Sequence, residues 1–241
     1  MELVTKTKPI ELRLYNEEMS DHDTVGDECF TQRAYEEFGK HIVRGTALMM
    51  PAEEGERYVV EELFRSILEK QSGVAIEIGT FRGVTTAMLA HYFDKVYTID
   101  LIENAISAEV WKFFGILPKI KSYVVADDEA KQHFINSLDF DFAFIDGDHT
   151  YEGVALDFEL VRKCGKVVFH DYAVSADCKG VTDFVNELPT EEVIIKRPFA
   201  IWTAKETTYK NAKLTNFNLR GMDIADAHIN TIKVPNGRNA H

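Results

Sequence analysis

The stretch Ile145-Asp-Gly-Asp-His-Thr-Tyr-Glu-Gly153 brings two carboxylates and an imidazole together directly after the short apolar run Phe140-Asp-Phe-Ala-Phe144. A second acidic step, His170-Asp171-Tyr172, closes the run Lys166-Val-Val-Phe169. If the two runs are neighbouring strands, Asp146, Asp148, His149, His170 and Asp171 converge on one small volume. Carboxylates held that close bind a cation, share a proton or do both. In an open α/β sheet, ligands bind beyond the carboxyl ends of the strands, where these residues would sit.

A second group with chemical potential is Glu77-Ile-Gly-Thr-Phe-Arg-Gly83. Gly79 and Gly83 permit tight turning and close approach of a ligand to the backbone. Free N–H groups at the start of the following helix, with the Thr85 or Thr86 hydroxyl nearby, suit a carboxylate or phosphate. The spacing is neither the dinucleotide fingerprint nor a Walker loop, since the third glycine and the lysine are missing. Glu77 stands two residues before the first glycine, placed either to meet an ammonium group or to orient the loop. The competing reading is a plain strand–helix turn. Asp100 ends Val96-Tyr-Thr-Ile-Asp100, where a carboxylate accepts both hydroxyls of a ribose or caps a helix. Asp127-Asp128 ends the next apolar run and faces the same choice, Asp127 between an adenine amino group and a helix cap.

The elements that must position these residues alternate. Strands are expected at Val74–Ile78, Val96–Asp100, Ser122–Ala126, Phe140–Asp146 and Lys166–His170. Between and after them, helices are expected at Val84–Phe93, Asn104–Phe114, Glu129–Leu138, Tyr151–Cys164 and Lys179–Leu188. Such repetition implies a doubly wound, mainly parallel sheet covered on both faces, an α/β fold of seven strands. Two last strands, Glu192–Lys196 and Ala200–Ala204, are separated by too few residues for a parallel crossover, so an antiparallel hairpin should lie at the sheet edge. Upstream, Val59, Val60, Leu63, Phe64, Ile67 and Leu68 give Glu56–Gln71 the spacing of an amphipathic helix. Ser72-Gly73 would close it. Residues 1–55 are polar with short helices over Phe30–Arg44, and form an N-terminal cap ahead of a domain spanning 56–205. In the tail, 206–241, Ala212, Phe217, Met222, Ala227 and Ile232 recur every five residues, as do Leu214, Leu219, Ile224, Ile229 and Val234. That period fits neither helix nor strand; it resembles pentapeptide repeats, although five units amount to little more than one coil. Chance spacing in a docked segment is the alternative.

Composition limits the function classes. A net charge of −13 argues against a general nucleic-acid or anionic-membrane surface. No apolar run approaches the roughly 20 residues that cross a bilayer, and the start lacks the apolar region of a secretory signal. Three scattered cysteines suit reduced thiols in a cytoplasmic protein.

Together the glycine loop, Asp100 and the two acidic strand ends resemble the class I S-adenosylmethionine-dependent methyltransferases over roughly residues 55–205. Phe144-Ile-Asp-Gly-Asp-His-Thr-Tyr-Glu-Gly-Val154 and Gly165-Lys-Val-Val-Phe-His-Asp-Tyr172 are similar to the small-molecule and sugar O-methyltransferases that include macrolide and aminocoumarin enzymes and cephalosporin-hydroxylase-like proteins. The resemblance implies an enzyme moving a methyl group to a hydroxyl of a small molecule such as a sugar. It implies cofactor contacts at Glu77, Gly79, Thr80, Gly83, Thr85, Asp100, Asp127 and Asp146. It also implies a Mg²⁺ or Mn²⁺ held by Asp146 and by the positions of His170 and Asp171, where metal-using members carry two acids. The imidazole departs from that pattern and weakens the case for Mg²⁺. His149 matches the base position of some members and Asp148 that of others. Leu101–Pro118, Val174–Lys179 and the N-terminal segment would bind the acceptor, and a homo-oligomer is compatible with the tail. Two other readings stand beside this one: a cofactor-fold relative with metal-assisted, non-methylating chemistry, and a non-catalytic binding or assembly protein.

Overall fold

A computed structural model describes residues 13–15, 30–43, 47, 49–51, 57–59, 61–69, 71–125 and 127–205. The pentad tail lies outside the described residues. The chain divides into two compact units, residues 1–70 and 71–241.

In the first unit, β1 (Arg13–Tyr15) is followed by α1 (Phe30–Phe38), α2 (Lys40–Val43), β2 (Met49–Pro51), β3 (Arg57–Val59) and α3 (Glu61–Leu68). The strands pair antiparallel in the order β1-β3-β2. The amphipathic helix expected from Glu56 is therefore shorter and begins at Glu61. Arg57–Val59, within the expected helix, are instead the middle strand, paired on both edges. Glu61 is buried and accepts the backbone N–H of Phe30 and Thr31, both at 2.8 Å. It thereby caps α1 from another helix and holds Arg65 at 2.6 Å.

The second unit alternates strand and helix: β4 (Val74–Ile78), α4 (Val84–Tyr92), β5 (Lys95–Asp100), α5 (Ala105–Phe113), β6 (Ile120–Val124), α6 (Asp128–Asn136), β7 (Phe142–Ile145), α7 (Tyr151–Val161), β8 (Lys166–Phe169), α8 (Lys179–Glu187), β9 (Val193–Lys196) and β10 (Phe199–Thr203). The seven strands lie in the order β6-β5-β4-β7-β8-β10-β9. β4 to β8 run parallel, β10 is antiparallel to β8, and β9 folds back on β10. The expected edge hairpin is present, turning at the cis Arg197–Pro198 bond.

Strand alternation builds the core. Ile76, Ile78, Ile145, Val167, Phe169 and Trp202 face Phe134, Phe158, Val161 and Phe184 of α6, α7 and α8. On the other face Phe142 meets Phe93, which follows α4, with ring centroids 5.0 Å apart. Each fully buried side chain of this size contributes roughly 1.5–3 kcal/mol. Strand order reverses at β4, which has β5 on one side and β7 on the other, so the carboxyl ends of these strands frame the crevice where ligands bind in such sheets. Ile145 pairs with Phe169, so Asp146 and His170 leave the sheet side by side.

Candidate active site

The loop after β4 is organised from two sides by acids. Glu77 is fully buried; its Oε2 accepts the hydroxyls of Thr86 on α4 and Thr98 on β5, while Oε1 has no hydrogen-bond partner. Burial, with Asp146 and Asp100 adding repulsion, pushes Glu77 up to about 8, so the acid is neutral at pH 7. The Thr80 and Thr98 hydroxyls share a hydrogen bond of 2.6 Å. Asp100 gathers the loop backbone: Oδ2 accepts from Thr80 N (3.0 Å) and Phe81 N (2.8 Å), and Oδ1 from Leu101 N (2.7 Å) and Ile102 N (3.4 Å). Phe81, Leu101 and Ile102 leave large apolar surfaces exposed beside it.

Gly79 (φ +99) and Gly83 (φ +76) both adopt the left-handed region that the turn demands. Close approach there is to protein. A Cβ on Gly79 would lie 2.0 Å from the Asp146 carbonyl oxygen, and one on Gly83 would lie 2.5 Å from Trp111 Nε1. Trp111 donates that N–H to Gly83 O at 2.9 Å and so fastens the loop. α4 starts without a side-chain cap, and Thr85 is buried in its first turn. Asp127 caps α6, accepting Ala130 N at 2.8 Å.

Four of the five residues expected to converge beyond β7 and β8 do so. His170 Nδ1 lies 3.0 Å from Asp146 Oδ1 and 3.3 Å from Asp171 Oδ1. His149 Nε2 lies 3.2 Å from Asp171 Oδ2 and 3.6 Å from Asp146 Oδ1. Burial works against the charged form of His170, yet Asp146 and Asp171 outweigh it and push the imidazole up to about 10. The Asp146 carboxylate raises His149 as well, with burial opposing and Asp171 assisting. In return, the two imidazoles overcome burial and hold Asp146 below its ordinary value. Asp171 has a positive φ of 60, a strained conformation for a residue with a Cβ. Its neighbours pin it there. Tyr172 N donates to Pro198 O at 2.9 Å and Ala173 N to Thr182 Oγ1 at 2.9 Å, while Arg197 donates to the Ala173 carbonyl.

Asp148 is the residue left out. Its exposed carboxylate turns back over Gly153 in the first turn of α7 and accepts Thr150 N at 2.9 Å. Tyr151 and Tyr172 donate their hydroxyls to Glu187 and Asn186 of α8. Cys178 joins the cluster without having been singled out: it is buried, with Sγ 3.7 Å from His149 Nδ1. Only its place in the loop after His170-Asp171 could have drawn notice. Another unremarked pair is Lys131 and Asp157, 2.7 Å apart and buried between α6 and α7. Burial leaves Asp157 raised to about 6 despite the lysine.

Residues 76–172, which hold the glycine loop and both acidic strand ends, match the family model described as a methyltransferase domain. This stretch is a methyltransferase domain. No curated protein matches the chain. Among solved structures, the domain is similar in fold to the O-methyltransferase TomG of tomaymycin synthesis from Streptomyces achromogenes, at 18% identity over 59% of this chain and 77% of that one, with a TM-score of 0.45. An O-methyltransferase from Bacillus cereus shares 17% identity over 59% and 78% of the two chains, TM-score 0.44. An rRNA methylase from Streptococcus thermophilus shares 15% over 59% and 95%, TM-score 0.45.

Proposed function

We propose that the domain transfers the methyl group of S-adenosylmethionine to a hydroxyl of a small molecule, with a sugar as the leading acceptor class. The observation that carries this reading is the joining of two chemistries at one sheet edge: an acid-organised glycine loop after β4 and a histidine–carboxylate cluster after β7 and β8. The loop fits the cofactor. The buried, unpartnered Oε1 of Glu77 supplies a polar group near the position of a cationic amino-acid end. Phe81, Leu101 and Ile102 offer apolar surface beside Asp100 for a nucleoside. A ribose would bind Asp100 by sharing or replacing its contacts with the Leu101 and Ile102 N–H groups, the outer pair of its four. When bound, S-adenosylmethionine supplies a methyl group already activated by its sulfonium.

The residues of the chain then have to align an attacking oxygen and receive its proton. His149 is the proton acceptor. Its Nε2 faces Asp171 at 3.2 Å, the carboxylate that orients the ring, and its Nδ1, which lies against Cys178 Sγ at 3.7 Å, is the nitrogen that would take the proton. Asp148, engaged by Thr150, is a helix-start residue in this reading. The ligand atoms of Asp146, His170 and Asp171 lie within 4.8 Å of one another. Two carboxylates and an imidazole fit a first-row divalent ion such as Mn²⁺ better than Mg²⁺, and such an ion would polarise the acceptor hydroxyl.

Calorimetric titration with S-adenosylmethionine, S-adenosylhomocysteine and NAD, followed by transfer of labelled methyl to a panel of hydroxylated small molecules and sugars, tests the reading. Binding of the two adenosyl compounds and labelling of a hydroxyl are expected; binding of NAD alone would sink it. Chelator-treated protein should lose turnover and regain it with Mn²⁺, and undiminished turnover would remove the metal from the account.

A further inference from the structure

Cys178 contributes nothing to the chemistry proposed above, yet it is buried against the proton acceptor. Its thiol, the His149 imidazole and the Asp171 carboxylate have ligand atoms within 4.8 Å of one another. The edge between Cys178 Sγ and His149 Nδ1 measures 3.7 Å. A tetrahedral ion with metal–nitrogen bonds of about 2.0–2.1 Å and a metal–sulfur bond of about 2.3 Å sets those two donors about 3.6 Å apart. The other edge of the ring faces Asp171, the third residue of the group. His149 Nε2 is sealed from solvent and 3.2 Å from Asp171 Oδ2, but makes no hydrogen bond. The ring is thus flanked by the thiol at Nδ1 and by the carboxylate at Nε2, and Nδ1 is the ligand atom toward the sulfur. Ser175 Oγ, 3.4 Å from the sulfur on the same turn, and the backbone of α8 against His149–Tyr151 hold the thiol in place.

We propose that Cys178, His149 and Asp171 form a binding site for a thiophilic divalent ion of the zinc class, whose occupancy removes His149 from proton transfer. Soft thiolate and borderline imidazole select such an ion over Mg²⁺ or Mn²⁺, which prefer oxygen. On binding, the thiol loses its proton to solvent and the sulfur lone pair forms the new bond; no oxidant or reductant is needed. Asp171 belongs to this triple and to the one formed with Asp146 and His170, so an ion at either place competes for the same carboxylate. The regulatory half of the inference rests on the methyl-transfer reading, and the metal-binding half stands without it.

Cobalt(II) added to the reduced full-length protein is the probe, because a cobalt–thiolate bond gives a near-ultraviolet charge-transfer absorption. The band is expected in the wild type, absent in Cys178→Ser and retained in Cys164→Ser, whose thiol lies at the turn before β8 and donates to Lys166 O. His149→Ala should weaken cobalt binding at least tenfold while circular dichroism shows the fold intact. Zinc(II) should displace cobalt, and should inhibit methyl transfer in the wild type more than in Cys178→Ser. A band that survives Cys178→Ser, no band in the wild type, or unchanged affinity in His149→Ala would overturn the site. A thiolate band without methyl transfer to any acceptor would keep the metal site and remove the proposed function. Methyl transfer indifferent to bound zinc would remove the regulatory half.

Discussion

The two halves of the sheet edge handle acids in opposite ways. After β4 and β5, Glu77 is neutralised by burial and held by threonine hydroxyls, and Asp100 is surrounded by four backbone N–H groups. After β7 and β8, Asp146 and Asp171 stay paired with two imidazoles that carry or release protons. The first half is a rigid, charge-quiet frame suited to holding a ligand. The second stores mobile protons and suits chemistry. Substitutions should therefore separate binding from turnover according to which half they touch.

The largest effect expected is on the chemical half. His149→Ala should lower single-turnover methyl transfer by roughly 10²–10⁴-fold, with calorimetric affinity for S-adenosylhomocysteine within about threefold of wild type. An unchanged rate would remove His149 as proton acceptor. Asp100→Ala strikes the other half. Loss of the carboxylate frees four N–H groups and should weaken cofactor binding by about 10–100-fold, on the order of 1.4–2.7 kcal/mol, measured by the same titration.

The acid limb of the rate profile is the next discriminator. His149 is raised above its ordinary 6.5, so the rate should rise with pH through an apparent pKa above that value. Asp171→Asn removes a negative neighbour and should move the limb downward, as a kcat/KM profile over pH 5–9 would show. A limb that stays in place would uncouple Asp171 from the base. A separate effect, on stability rather than turnover, concerns Glu77, whose folded value of about 8 exceeds its ordinary 4.5. Between these values the folded state binds the extra proton, so Glu77 favours folding below about pH 4.5 and that advantage is lost as pH rises through 8. Urea unfolding of Glu77→Gln should show a flatter decline across this window than the wild type. An equal decline would place the pH dependence elsewhere, with His170, raised to about 10, next in line over pH 6.5 to 10.

Much of this frame was legible in the sequence because alternation and strand ends are local signals. Asp146, His170 and Asp171 each fall within two residues of an apolar run, and register alone brings them together. The same logic fixed Asp100 and the hairpin at β9 and β10. What escaped depends on longer returns of the chain. Asp148 leaves the cluster because Gly153, in the first turn of α7, leaves room for its carboxylate to fold back. Cys178 enters because the loop after Asp171 returns over His149, a path set by contacts of Tyr172, Ala173 and Gly180. The amphipathic helix is shorter than its spacing suggests because Arg57–Val59 form a strand, and Glu61 caps α1, a role no periodicity reveals. Asp100 was recognisable as an acid at a strand end, but its engagement by four amides was not.

The division between the two halves is tested most directly by Asp146→Asn, measured in one preparation for S-adenosylhomocysteine affinity and for single-turnover methyl transfer. Asp146 touches His170 and His149 through its carboxylate, and its backbone alone meets Gly79. Affinity within about threefold of wild type with a rate at least 100-fold lower, about 2.7 kcal/mol of barrier, is the predicted result. Equal losses of affinity and rate, or an unchanged rate, would contradict the account.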